Sequence, residues 1–415
     1  MKCIWKKELN ELQLLAYYLL RGGTAITAIA VVNQNKKIDH KKVINDVWNE
    51  KFFNKLMQPM YYGNLIKQLN KELKQKGLDE VSYDFPALLD TTIGNDEDWN
   101  VTYKNEKINL QFGEFMPLSK EPTYNEDETN CLDMGWKTTI LQDGFKKDYI
   151  ISPHPMKETV KEVLKEFPWF INGLNEVFKG NKNKEIKGIE NWDTSNFDYF
   201  RLVFQDATNF DQELNNWDTS NAKTLFGMFH NAESFNKPLN HWNVSKVDDM
   251  TALFFGAKSF NQDLNNWDTS NVSNMIAAFH SAESFNGNII NWNLNKVIAL
   301  DGMFENAIKF NQDISTKEIT KPDGTKYNAW DTSNVSQMNA VFSNAKSFNH
   351  NVSNWNVDKV NEAYDEPEEG VVNLHTFLKF ATGSQLTVDK IPTFKKPELA
   401  FVVIDSNEET EEDNN

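Results

Sequence analysis

From Asp39 to Lys76 the apolar residues keep a helical rhythm: Val43, Val47, Phe52, Leu56 and Met60 stand four or five apart, and Gly77 supplies a stop. Between Val81 and Ile151 the rhythm becomes alternation. Trp99-Asn100-Val101-Thr102-Tyr103 and Ile108-Asn109-Leu110-Gln111-Phe112 predict short strands divided by Asn, Asp and Gly turns. Beyond them a far stricter pattern takes over. Trp192, Trp217, Trp242, Trp267 and Trp292 recur every 25 residues, and Trp330 and Trp355 continue the series once a 13-residue insertion is removed. The same apolar skeleton returns around each of them. Phe260, Leu264, Val272, Met275, Phe279, Ala282 and Phe285 surround Trp267, while Phe210, Leu214, Ala222, Leu225, Phe229, Ala232 and Phe235 surround Trp217. Phe254, Phe304 and Phe342 hold the place of Phe229 and Phe279 in sister copies. A partial first copy shows in Ile171, Leu174 and Phe178, offset by 26 from Phe197, Phe200 and Phe204.

Within a copy, Val272, Met275, Phe279 and Ala282 fall at i, i+3, i+7 and i+10, one face of a short helix. Asp268-Thr269-Ser270-Asn271 stands ready to cap it. The Asn-rich stretch between Phe260 and Trp267 predicts a turn and a short strand. One such unit cannot enclose a Trp and two Phe by itself, so the copies must stack in register. The expected fold is an α/β solenoid of strand–helix units, preceded by a helical segment and a small β-rich region. Its expected divisions are 1–32 as signal peptide or membrane anchor, 33–78 helical, 79–160 β-rich, 161–362 repeats, 363–405 a C-terminal cap, and 406–415 a disordered acidic tail.

The N-terminal assignment rests on charge. Lys2, Lys6, Lys7 and Arg21 precede the uncharged run Gly22–Val32, which ends near Ala28-Ile29-Ala30, the layout of an export signal. Arg21 counts against a span, and an amphipathic helix from Trp5 to Leu20 is the alternative. A net charge of −17 argues against nucleic acid as a partner, because a phosphate-binding surface needs clustered Lys and Arg, and it disfavours anionic lipid. Two cysteines, Cys3 and Cys131, make neither a disulfide framework nor a cysteine zinc site.

The repeat also carries polar columns. Asp193, Asp218, Asn243, Asp268, Asn293, Asp331 and Asn356 each follow a Trp, and Asn236, Asn261, Asn286, Asn311 and Asn349 each follow a Phe. Such ladders are expected to satisfy backbone groups at turns, with calcium binding by the Asp column as the sharper alternative. His230 and His280 share one column beside Phe229 and Phe279, which the helical reading places at a helix end. Lys321-Pro322-Asp323-Gly324-Thr325 predicts a protruding hairpin within the 315–329 insertion. The polar positions Gln212, Glu213, Gln262, Asp263, Gln312 and Asp313 are the candidate partner contacts. No phosphate loop, nucleophile elbow or paired-histidine zinc motif occurs, so neither catalysis, cofactor nor metal is expected.

The unit Phe260-Asn-Gln-Asp-Leu-Asn-Asn-Trp-Asp-Thr-Ser-Asn-Val-Ser-Asn-Met275 resembles the repeat of BspA-like leucine-rich-repeat surface proteins of mollicute type. The run-in resembles that family too, through Tyr124 to Cys131, Lys157 to Val163, Ile171 to Leu174 and Phe178 to Asn181. The likeness spans roughly residues 123–360 and implies a leucine-rich-repeat-like solenoid on exported or membrane-anchored proteins, with adhesion or host contact as the role. The expectation is therefore a surface-displayed, non-catalytic binding or adhesion module for a protein or host-surface ligand. A cytoplasmic protein–protein scaffold is the alternative.

Overall fold

The helical rhythm near the N-terminus resolves into α1 (His40–Lys51) and α2 (Tyr62–Gln75), with a two-residue strand, β1 (Leu56–Met57), between them. Asp39 caps α1 by accepting from the Lys42 amide, and Gly77 leaves α2 with φ +74°. The computed structural model describes residues 39–57, 62–83, 99–143, 146–365 and 377–401, and the chain divides into two compact units at Pro117–Leu118. The expected export signal and acidic tail lie outside the described residues.

In the first unit, β2 (Ser82–Tyr83), β3 (Trp99–Tyr103) and β4 (Glu106–Leu110) form an antiparallel sheet, and β5 (Phe115–Met116) pairs parallel with β1. Lys104 and Asn105 both hold positive φ, the two-residue turn whose twist matches a hairpin. The core is aromatic. Trp48 lies 5.3 Å from Trp99 and donates its indole N–H to the Gln111 carbonyl at 2.8 Å.

The second unit opens with β6 (Ser119–Lys120), β7 (Thr123–Tyr124), β8 (Cys131–Asp133), β9 (Trp136–Asp143) and β10 (Lys146–Ser152). Here β9 pairs with β6 and β10, and β7 pairs with β8. A hairpin, β11 (Lys317–Thr320) with β12 (Lys326–Ala329), and a helix, α3 (Asp358–Asp365), follow later.

The α/β solenoid of strand–helix units, and with it the leucine-rich-repeat-like fold, is not what the chain forms. Among the described residues the sheets are small and mostly antiparallel, the helices are few, and no helix occurs in the span read as one, Val272–Ala282. The amide bonding shows why. Met275, Ala277, Phe279 and Ser281 donate not within their own turn but to Ala299, Asp301, Met303 and Glu305 of the next copy, at 2.7–3.2 Å. The intervening amides of Ala278, His280 and Ala282 close three-residue-back bonds to Met275, Ala277 and Phe279. Half the amides an α-helix would need are therefore committed sideways. Positive φ at Ala277 and Ser281 makes Met275–Ala278 and Phe279–Ala282 two successive type II turns. Spacing reported which side chains face inward; it did not report where the backbone bonds go.

Copies of this double turn lie side by side as a ladder. One-residue parallel bridges link Gly173, Tyr199, Thr224, Asp249, Asn274, Ala299 and Gln337 in series. The left-handed positions recur with them, as Leu202, Gly227, Ala252, Ala277, Gly302 and Ala340, and as Asp206, Asn231, Gly256, Ser281, Asn306 and Asn344.

The interior is three aromatic columns. Trp242, Trp267, Trp292, Trp330 and Trp355 stack 5.8–6.5 Å apart within 7° of parallel. Phe229, Phe254, Phe279, Phe304 and Phe342 stack 5.4–5.8 Å apart, and each meets the second Phe of its own copy at about 4 Å. Each indole N–H of the Trp column is satisfied. Trp217, Trp242, Trp267 and Trp292 donate to the carbonyls of Ile189, Leu214, Leu239 and Leu264, one copy back.

Both ends of the ladder are closed. At the start, Asn172 exchanges bonds with Ile151 and donates to the Tyr149 carbonyl, so β10 covers the first copy. At the far end Ala340, Phe342 and Asn344 donate to Leu378, Phe380 and Thr382, and Lys379 and Gly383 repeat the two left-handed positions. This is a further copy. It escapes a reading by motif because Ala381 stands where Phe342 does, and Phe394 replaces the Trp. Phe380 meets Phe342 edge-on at 88°, ending the parallel stack.

Candidate functional site

Most recurring polar side chains serve the ladder itself. All seven Asp or Asn residues after the Trp accept, through Oδ1, the amide two positions on, as Asp193 does from Ser195 and Asn356 from Asp358. Thr194, Thr219, Thr269 and Thr332 donate their hydroxyls to the carbonyl at the same turn of the next copy, at 2.8–3.0 Å. Asn236, Asn261, Asn286 and Asn311 each accept, through Oδ1, the amide of the next Asn in their column.

The polar positions read as partner contacts fall largely into the same work. Gln212 accepts from the Ile186 amide, Gln262 and Gln312 donate to the carbonyls of Asn236 and Asn286, and Asp263 accepts from the Asn288 amide. Asp313 is held by the Ser315 amide and hydroxyl, which keep its carboxyl below the usual range. Glu213 stands apart. It lines an open depression of about 390 Å³ with Glu190, Asn215, Asn216 and His241.

The outward side of the double turns carries a different surface. Two columns project there: Arg201, Phe226, Thr251, Ile276 and Asp301, then Gln205, His230, Phe255, His280 and Glu305, all half-buried. Between them run the left-handed Gly227, Ala252, Ala277 and Gly302, which have little or no side chain. The result is a shallow trough along the ladder. His230, Phe255 and His280 form one wall, rings parallel within 4° and 4.3–4.5 Å apart. Phe226 and Ile276 stand on the other, and the Arg201 guanidinium lies 4.3 Å over the Phe226 ring. Burial holds the His230 imidazole below its ordinary pKa, against the opposing pull of Asp206. His280 sits 3.5 Å from the Glu305 carboxylate.

The trough was not foreseen, although its signal was in the chain. Phe226, Phe255 and Ile276 are apolar residues outside the repeating skeleton, in columns where sister copies hold Thr, Asp, Gln or Glu. Assigning His230 and His280 to a helix end hid the relation.

The insertion hairpin folds back rather than protruding. Lys321 donates to the Asp268 carboxylate at 3.2 Å and lies over the Tyr327 ring, whose hydroxyl donates to the Asn291 carbonyl. Burial would raise the Asp268 carboxyl, but bonds from Ser270 and Lys321 outweigh it and hold it low. A carboxyl depressed by folding stabilises above its unfolded pKa of about 3.9 and loses that contribution as pH falls through the lowered value. Protection of the hairpin amides from hydrogen exchange should therefore fall as pH drops below about 4. Asp268→Asn keeps the turn acceptor, as Asn243 and Asn293 do in sister copies, and should flatten that dependence at a cost below about 1 kcal/mol. An unchanged acid limb in the variant would rule the latch out.

Cys131 is buried, which pushes its thiol up to about 11 and leaves it a poor nucleophile at neutral pH. Among the described residues no group of three His, Cys, Asp or Glu is placed to hold a metal, and no helix is long and apolar enough to cross a membrane.

No curated protein and no solved structure is significantly similar to the chain. Residues 172–275, 237–328 and 323–366 match a family described as "Mycoplasma protein of unknown function, DUF285". That match lies on the ladder itself, so the stacked copies, with the trough they carry, are the part of the chain similar to that repeat-containing family.

Proposed function

We propose that the ladder is a non-catalytic binding module, displayed outside the cell membrane, that engages a macromolecular partner through its trough. The observation that carries this reading is the set of apolar residues on its two sides, Phe226 and Ile276 on one wall and Phe255 on the other, half-buried in columns where sister copies hold polar residues. Display is supported by the resemblance of the Phe260–Met275 unit to BspA-like surface proteins and by the basic-then-apolar N-terminal run.

Phe255→Asp tests the site, since a buried-edge carboxylate opposes apolar docking while the neighbouring columns keep the fold. Binding to a defined array of synthetic octapeptides should fall about tenfold or more, corresponding to roughly 1.5–3 kcal/mol for one lost apolar side chain. Equal binding by both proteins would remove the trough from the function. Protease treatment of intact producing cells tests display: cleavage of the chain is expected, and full protection would favour a cytoplasmic scaffold.

A further inference from the structure

The trough is nearly symmetric about its middle. One wall runs Arg201, Phe226, Thr251, Ile276, Asp301, and the other Gln205, His230, Phe255, His280, Glu305, all half-buried. About the copy that carries Thr251 and Phe255, apolar Phe226 is mirrored by Ile276, His230 by His280, and the cation Arg201 by the anion Asp301. The spacing is mirrored as well. His230 and His280 lie 4.5 and 4.3 Å from Phe255, each ring within 4° of its plane. The series of one-residue bridges carries the same register through every one of these copies.

A surface of this kind complements itself. Two copies facing each other with antiparallel ladders would be related by a two-fold axis lying across both troughs at Thr251 and Phe255. Arg201 of each copy then meets Asp301 of the other, and Gln205 brings an amide to the Glu305 carboxylate. Phe226 lies against Ile276, His230 against His280, and Thr251 and Phe255 each against its own counterpart. Between the walls Leu202, the bulkiest residue of the floor, comes opposite Gly302, which has no side chain. The copies beyond bring Asn175 to Asn339, Glu176 to Ala340 and Lys179 to Ser343, so no like charges stand opposite one another. A parallel arrangement fails on the same columns. Its axis would run along the ladder and set Asp301 against Glu305, twice over.

Resting on the reading of the trough as a binding surface, we infer that its occupant is the same trough on a second copy of this chain. Charge complementarity selects this partner: the cation and the anion that the contact needs stand on one face, at equal distances from its centre. The net charge of −17 opposes the approach of two chains at long range. Physiological salt screens that repulsion beyond about 8 Å and leaves the contact itself to decide.

Sedimentation velocity on the full chain at physiological salt, from about 1 to about 100 µM, should show monomer giving way to dimer. Arg201→Glu and Asp301→Arg should each weaken the dimer by about a hundredfold or more, because the two-fold axis repeats every like-charge contact. Mixed in equal amounts, the two variants should associate again as wild type does, since each offers the charge that the other lacks. Phe255→Asp, which sets two carboxylates against each other on the axis, should leave monomer. Thr251→Cys should be joined to itself by a short bismaleimide above the background that Cys3 and Cys131 give in wild type. Wild type that stays monomeric throughout overturns the inference. So does a dimer that Phe255→Asp and the single charge variants leave intact, or one that gives no cross-link through position 251. So does a mixture that fails to associate although both members keep the near-UV circular dichroism of the tryptophan stack. If wild type is monomeric while Phe255→Asp still weakens peptide binding, self-association falls and the trough stands; if peptide binding is unmoved as well, both fall.

Discussion

Replacing Phe279 with alanine should lower the unfolding free energy by about 3–5 kcal/mol, the range for deleting a buried aromatic ring. The ring is fully buried at the centre of the ladder, 4.0 Å from Phe285 and 5.4 and 5.7 Å from Phe254 and Phe304. Its neighbours above and below cannot close the gap, because Phe254 and Phe304 are held at their heights by main-chain bonds to the copy beyond, at Ala278 and Val341. Stability in such an array is set by nearest-neighbour contacts, so one cavity weakens two interfaces at once. Urea denaturation followed by tryptophan fluorescence measures the loss. A change smaller than about 1 kcal/mol would mean the columns are not the source of cohesion.

Gly188→Ala is expected to destabilise for a different reason. Gly188 has φ +109°, where L side chains are strained, and an added Cβ would stand 2.3 Å from the Val163 carbonyl oxygen. That carbonyl belongs to the segment whose own amide bonds to Lys187, so the collision is with backbone that cannot retreat without breaking the bridge from Glu162 to Lys187. Strain alone costs about 1–3 kcal/mol, and the displaced bridge adds to it. Hydrogen exchange at Val163 and Lys187 should show local opening well before global unfolding. Wild-type protection at both amides would contradict the assignment.

The period, the inward-facing residues and the partial first copy were legible, because a burial pattern is written directly in side-chain chemistry. The strand–helix unit was a misreading of the same pattern. Val272, Met275, Phe279 and Ala282 would share a helix face, and they equally share the inner side of two type II turns. Only the left-handed positions discriminate. One of those columns, Asp206 through Asn344, is rich in Asn and Gly, but Ala277 and Ala252 disguise the other. The hydrogen bonds of Gln262 and Asp263 were hidden for a related reason: they go to Asn236 and Asn288, and become visible only once the neighbouring copies are placed beside them.

The inserted hairpin has a practical meaning. Trp292 and Trp330, which flank it, lie 6.4 Å apart, against 6.2 Å for Trp267 and Trp292, which have nothing between them but an ordinary repeat. The junction thus tolerates extra chain without any change in spacing. Residues 321–325 form a ready port for grafting an unrelated peptide, such as an epitope or a fluorophore tag, onto the array at a known address.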